Sequence, residues 1–314
     1  DAGQRMDKFV SKVTTGLPKS LLYKYLRTKR IKLNGKKAHE NDFTAEGDVV
    51  EMYIPDEFFG DTETAESYDK VKYVPDIVYE DENILLVDKK PGVLCHSAGE
   101  WSWNTLIANI QAYLRAKGEW DPARENSFAP ALCNRIDRNT GGIVIAAKNA
   151  EALRIMDEKV KNREIEKIYL AAVVGTPRPA AGRLEGYLFK DAKNNQVYVY
   201  DAPRTGAKTA VTEYKTIASD GRLTLVECRL ITGRTHQIRA QFSSRGLPLC
   251  GDTKYGAAAP GPLGLWSYRI AFCHPQTGRP LQFSHLPPAE DPWLPFQTAL
   301  SQLEGGPHGQ NERT

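Results

Sequence analysis

Cysteine is sparse in this 314-residue chain and shows no pairing pattern: Cys95, Cys133, Cys228, Cys250 and Cys273 are scattered, with no CxxC spacing and no histidine arranged with them. An odd count disfavours a complete disulfide framework, and the scatter argues for reduced, buried thiols rather than a zinc site. Gly-rich phosphate loops of the GxGxxG or GxxxxGK(S/T) kind are missing, so nothing supports a nucleotide cofactor, and neither cofactor nor metal is expected. No apolar run of about eighteen residues and no charged-then-apolar leader occurs, which argues against a membrane span or signal peptide. A soluble, cytoplasmic monomer is expected.

What is present is charge, unevenly spread. The net charge is only +3, but between Arg5 and Lys37 the chain carries Lys8, Lys12, Lys19, Lys24, Arg27, Lys29, Arg30, Lys32 and Lys36 against the single acid Asp7. Such a local positive field suits phosphates. The sign then reverses: Asp56, Glu57, Asp61, Glu63, Glu66 and Asp69 sit among Gly60, Thr62, Thr64 and Ser67, the composition of a solvated linker.

The basic stretch has the periodicity of a small folded unit. Met6, Phe9, Val10 and Val13 share one face of a first helix, and Leu21, Leu22, Tyr25 and Leu26 one face of a second, with Lys24, Arg27 and Arg30 turned outward. A short strand then leads into the Asn34-Gly35 turn, and Val49 to Ile54 reads as a closing strand. Beyond the linker, Ile77 to Gly92 reads as two strands around an acidic turn. Helices are expected around 106–114 and 152–160, and strands at 143–147, 169–174, 212–217, 223–230 and 266–274. Many strands with a few long helices fit an α+β fold: a mixed, mainly antiparallel sheet with flanking helices, plus the small N-terminal α/β unit. The division expected is 1–56 for the basic unit, 57–74 for the linker, 75–300 for the main unit and 301–314 for a disordered tail.

Two blocks carry the chemistry. Asn134-Arg135-Ile136-Asp137-Arg138-Asn139-Thr140-Gly141-Gly142 is followed, almost a hundred residues on, by Thr232-Gly233-Arg234-Thr235-His236-Gln237-Ile238-Arg239. A carboxylate gathered with guanidiniums suggests a site for an RNA base. By itself, an Asp between two Arg residues is more often a surface ion-pair participant. Lys167 to Ala171, Lys208 to Tyr214 and Gly251 to Gly256 add three further blocks in fixed order, and together the five resemble the RluA family of pseudouridine synthases. The N-terminal unit, through Arg5, Asp7, Ser20, Asn34, Gly35, Gly47 and Asp48, resembles the alpha-L RNA-binding motif.

The resemblance implies an isomerase that detaches uracil from its ribose, turns it and rejoins it through carbon 5, without a cofactor, on a nucleotide flipped out of the RNA. It assigns the nucleophile to Asp137, its basic partner to Arg234 and the active-site tyrosine to Tyr169. Arg135 would fill the gap left by the flipped base, and Thr140 with its glycines would let the backbone approach the RNA. Lys19, Ser20, Lys24, Arg27, Arg30, Asn34 and Lys36 would hold the RNA on the basic unit. The appended unit resembles the RluC and RluD type, implying large-subunit ribosomal RNA as partner and substrate. Two residues depart from the family block, Asn134 for His and Gly141 for Ser. The competing readings are a catalytically silent ribosome-assembly factor, a synthase acting on transfer RNA, and an Asp-based nucleoside hydrolase.

Overall fold

The computed structural model describes residues 2–14, 17–59, 71, 74–97, 104–122, 124–125 and 128–304. Most of the expected linker at 57–74 and all of the tail from 305 onward lie outside the described residues.

In the N-terminal part, α1 (Met6–Val13) and α2 (Lys19–Arg27) precede a three-stranded sheet of β1 (Ile31–Leu33), β2 (Lys36–Lys37) and β3 (Val50–Met52), in the order β2-β1-β3. The apolar helix faces meet the sheet in one cluster containing Met6, Val10, Leu22, Tyr25, Leu26 and Ile31. Asn34 and Gly35, at φ 51 and 73, form the tight turn between β1 and β2. Two successive positive φ values are what an Asn-Gly pair tolerates, and they match the twist of the strands on either side.

The remainder builds one eleven-stranded sheet. Its elements are β4 (Asp76–Glu80), β5 (Ile84–Lys89), α3 (Leu106–Ala116), β6 (Ala131–Leu132), β7 (Gly141–Ala147), α4 (Ala150–Asn162), β8 (Glu166–Val174), β9 (Ala181–Asp191), β10 (Gln196–Tyr200), β11 (Lys208–Ser219), β12 (Leu223–Leu230), α5 (Gln237–Ser243), β13 (Leu265–Cys273), β14 (Pro280–Ser284) and α6 (Gln297–Glu304). The strand order is β10-β9-β11-β12-β8-β13-β7-β5-β4, with β14 on β13 and β6 on β7. All ladders are antiparallel except β13 on β7, in accord with the expected mainly antiparallel sheet. Residues 301–304, expected in a disordered tail, instead complete α6, where Leu300 is buried against Trp293 and Phe296.

The central strands are buried on both faces. On β8, Tyr169, Ala171 and Val173 belong to the cluster with α3 and α5, while Ile168, Leu170 and Ala172 belong to the one with Trp266, Tyr268 and α6. This is the alternation a pleated strand imposes. The start of β7 is set by two close approaches. A Cβ on Gly141 would fall 2.1 Å from the Trp266 ring, and one on Gly142, at φ 105, would fall 2.3 Å from the Ser267 carbonyl oxygen. Gly142→Ala combines backbone strain with a clash against main chain and should cost about 3 kcal/mol or more, read as a lowered urea midpoint. A change of less than about 0.5 kcal/mol would contradict this packing.

Candidate active site

Asp137 lies in the loop between β6 and β7, and the loop is tied down from several sides. The Thr140 amide donates to the Asp137 carbonyl oxygen at 3.1 Å, and the Gly92 amide to the Arg138 carbonyl at 2.9 Å. The Arg138 Nε donates back to the Gly92 carbonyl at 3.0 Å. Lys89, wholly buried, donates its three ammonium hydrogens to the carbonyls of Lys90, Val93 and Arg138 at 3.0, 2.8 and 2.9 Å. Burial draws its pKa down to about 8, against the opposing pull of Cys95, Asp137 and Asp88. Three acceptors for three N–H groups nonetheless match the ammonium form. Lys89 thus pins the 90–93 turn to the Asp137 loop, a role the sequence did not signal, since its lysine pair reads as an ordinary strand end.

The two departures from the family block acquire physical reasons. Asn134 accepts the Ile145 amide through Oδ1 at 2.8 Å, fastening the loop to β7. Gly141 leaves the space that the Trp266 ring fills.

α5 meets this loop through Arg239. Arg239 Nη1 donates to Asp137 Oδ2 at 3.0 Å, while its Nε and Nη2 grip Asp252 Oδ2 and Oδ1 at 2.7 and 2.8 Å. Asp252 is almost sealed from solvent, whereas the Asp137 side chain keeps 25% of its exposure. Burial works against the guanidinium charge, but Asp252 first and Asp137 second hold its pKa above the ordinary arginine value. The bidentate fork on Asp252 fixes the guanidinium plane, so its remaining nitrogen presents a fixed cation to Asp137. Among the described residues no hydrogen bond reaches Asp137 Oδ1; both polar contacts of the carboxylate are on Oδ2.

Arg234, expected as the partner of Asp137, is a correction. Its Nε donates to the Thr209 carbonyl at 3.1 Å and its amide to Gln237 Oε1. It lies in the turn before α5 rather than on the helix, and Arg239 occupies the place assigned to it. Thr140 is corrected as well: at 1% exposure its hydroxyl is buried and cannot meet RNA.

Tyr169, on β8, is only 6% exposed, and burial, helped by the nearby Asp137 charge, pushes its phenol well above the ordinary value. It is therefore a neutral ring with a retained proton. Arg135 is exposed on the same loop as Asp137.

On the N-terminal unit, Lys19, Ser20, Lys24, Arg27, Arg30 and Lys36 are all exposed. Asn34 is exposed but committed: Nδ2 donates to Asp48 and Oδ1 accepts the Val49 amide, so its side chain latches two turns together rather than standing free for RNA. Among the described residues there is no His/Cys/Asp/Glu group able to hold a metal and no helix long and apolar enough to cross a membrane.

Residues 83–244 match the profile of the RNA pseudouridylate synthase family. A ribosomal large subunit pseudouridine synthase C of Vibrio vulnificus (strain CMCP6) is 32% identical over 295 residues, covering 90% of this chain and 89% of that protein. An uncharacterized RNA pseudouridine synthase of Bacillus subtilis (strain 168) is 30% identical over 284 residues, with 89% of each covered. The solved structure of human RNA pseudouridylate synthase domain containing 4 superposes with a TM-score of 0.55 at 21% identity, over 68% of this chain and 88% of that one, a likeness of fold.

Proposed function

Since the chain belongs to the RNA pseudouridylate synthase family, and so converts uridine in RNA to pseudouridine, we propose that its substrate is large-subunit ribosomal RNA and that Asp137 is the carboxylate that reacts. The observation that carries the assignment of Asp137 is the line Asp137–Arg239–Asp252, with one carboxylate sealed and the other partly open to solvent. A carboxylate oxygen can bond directly to carbon, and Asp137 would present one to the flipped nucleotide. Arg239 keeps that charge oriented while the C1′–N1 bond breaks and the C1′–C5 bond forms. Both atoms stay within one nucleotide, and the hydrogen leaving C5 is balanced by one gained at N1. Tyr169, neutral and buried, would give the uracil ring a flat apolar surface, and Arg135, exposed on the same loop as Asp137, would occupy the space the base leaves.

The ribosomal substrate is supported by the name of the relative that aligns over nine-tenths of this chain, together with the basic N-terminal unit. Its exposed cations on α2 would track phosphates without reading bases. Replacing Lys24, Arg27 and Arg30 together by Ala should weaken RNA binding and flatten the slope of log K against log salt by roughly 2. An unchanged slope in a filter-binding titration would remove this unit from the RNA interface.

The test of the substrate is pseudouridine mapping on unmodified large-subunit ribosomal RNA incubated with the purified protein. New pseudouridine at discrete positions is expected. Product on transfer RNA alone would reassign the substrate, and RNA binding with no product on any RNA would favour an assembly factor.

A further inference from the structure

His236 has no place in the chemistry described so far, yet its geometry is constrained from three directions. It occupies the N-cap of α5 at φ 53 and ψ 24, and its side chain makes no capping hydrogen bond. A left-handed conformation in a residue other than glycine persists only where surrounding contacts hold it, and such positions cluster at functional sites. Capping is not its task. The imidazole Nδ1 lies 2.7 Å from the Tyr255 hydroxyl, with the two rings edge to face at 5.5 Å. On the other side Nε2 lies 3.8 Å from Asp137 Oδ2, the same oxygen that Arg239 holds.

The hydrogen positions follow from the partners. The Tyr255 oxygen accepts the Val197 amide at 3.1 Å, and an amide can only donate. Burial pushes the Tyr255 phenol up to about 12, so it keeps its hydrogen and has one to offer to His236 Nδ1. With Nδ1 as the acceptor of that hydrogen, the imidazole is neutral and its one N–H is on Nε2, the nitrogen nearer Asp137. The charged groups around the ring are Asp137 from the β6–β7 loop, Arg239 from α5 itself, and Lys254 and Asp252 from the turn that carries Tyr255. Burial lowers the histidine pKa, Arg239 and Lys254 add to that, and Asp137 and Asp252 oppose it.

We infer that His236 is a positioning residue for Asp137: pinned by Tyr255, it turns Nε2–H onto Oδ2 when the nucleotide is bound, and so leaves Oδ1 as the oxygen that reacts. The 3.8 Å separation is one small side-chain adjustment from a hydrogen bond, and such contacts tighten in the substrate complex. With Arg239 and His236 both on Oδ2, rotation of the carboxylate is blocked. Tyr255 serves both partners, since its ring also lies 5.1 Å from the Arg239 guanidinium. This inference rests on Asp137 being the reacting carboxylate.

Three measurements on the full chain test it. Nitrogen-15 NMR of histidine-labelled protein reads the tautomer without reference to activity: an unprotonated, hydrogen-bonded Nδ1 and a protonated Nε2 are expected, and the reverse tautomer would overturn the inference. His236→Asn suits the left-handed backbone but cannot reach Asp137; single-turnover pseudouridine formation should fall roughly tenfold with RNA affinity unchanged. Tyr255→Phe keeps the ring under Arg239 but withdraws the hydroxyl that favours bare Nδ1. The imidazole is then free to turn Nε2 away from Asp137, and the single-turnover rate should fall several-fold with RNA affinity unchanged. An unchanged rate with either variant would overturn the inference. Absence of product from the wild type would instead sink the reading of Asp137, leaving the NMR result to stand by itself.

Discussion

Asp137→Asn is expected to stop pseudouridine formation, lowering the single-turnover rate by at least about 10⁴-fold, while the variant still binds RNA with near wild-type affinity. The amide is the same size and keeps an oxygen for Arg239, so the loop tied by Lys89, Gly92 and Thr140 has no reason to move. What is lost is the charge and the nucleophilic oxygen. Rate and affinity therefore separate, and the two are read on the same preparation by product mapping and filter binding. A variant that still turns over would show that Asp137 is not the reacting group. One that loses both activity and binding would place Asp137 among the RNA contacts instead.

Arg239→Ala should be almost as damaging, for two reasons that can be measured apart. Asp252, with its side chain at 1% exposure, would be left as a buried carboxylate without its cation, a loss of about 3–5 kcal/mol in stability. Asp137 would lose the donor that orients it, worth roughly 10²–10³ in rate, by analogy with removing one preorganised donor from an active site. Arg239→Lys keeps a charge but not the fork, and should fall between. Arg234→Ala serves as the contrast: its Nε serves a backbone carbonyl, and less than about 1 kcal/mol of stability should be lost. If Arg234→Ala cost more activity than Arg239→Ala, the assignment of the two arginines would have to be reversed.

That exchange of arginines illustrates where the sequence stops being legible. The block from Thr232 to Arg239 announces a basic partner for Asp137, but it holds two arginines five residues apart, and which one faces the cleft depends on where α5 begins. That boundary is set by His236 in a left-handed conformation, and the residue type does not advertise it. Thr140 fails for a related reason, because the sequence shows a small polar residue beside two glycines but not that Trp266 and Ser267 close over the start of β7. Long apolar runs such as those of β7 and β8 were readable, as was the Asn34-Gly35 turn, since each depends on local chemistry. The β9–β10 hairpin was not foreseen: β9 alternates in burial through Leu184, Gly186 and Leu188, but a glycine fills one of the inward positions and Tyr187 and Phe189 stand between them, so the apolar alternation is blurred in the sequence. Lys89 likewise resembles any strand-end lysine until three carbonyls are seen to converge on it.

The placement of β13 has a consequence for how the protein is made. In the large sheet it lies between β8 and β7 and pairs with both, antiparallel to one and parallel to the other. Asp137 precedes β7 on one side of this seam, while Tyr169 and Arg239 belong to the other. A nascent chain that has emerged only as far as α5 therefore has Asp137, Tyr169 and Arg239 but lacks the strand, Leu265–Cys273, that joins the two halves. Such long-range closure cannot begin until β13 has been made, and it is slow among folding events. It also makes competence nearly all-or-none, because a chain terminated before β13 lacks the strand that joins β7, which follows Asp137, to β8, which carries Tyr169.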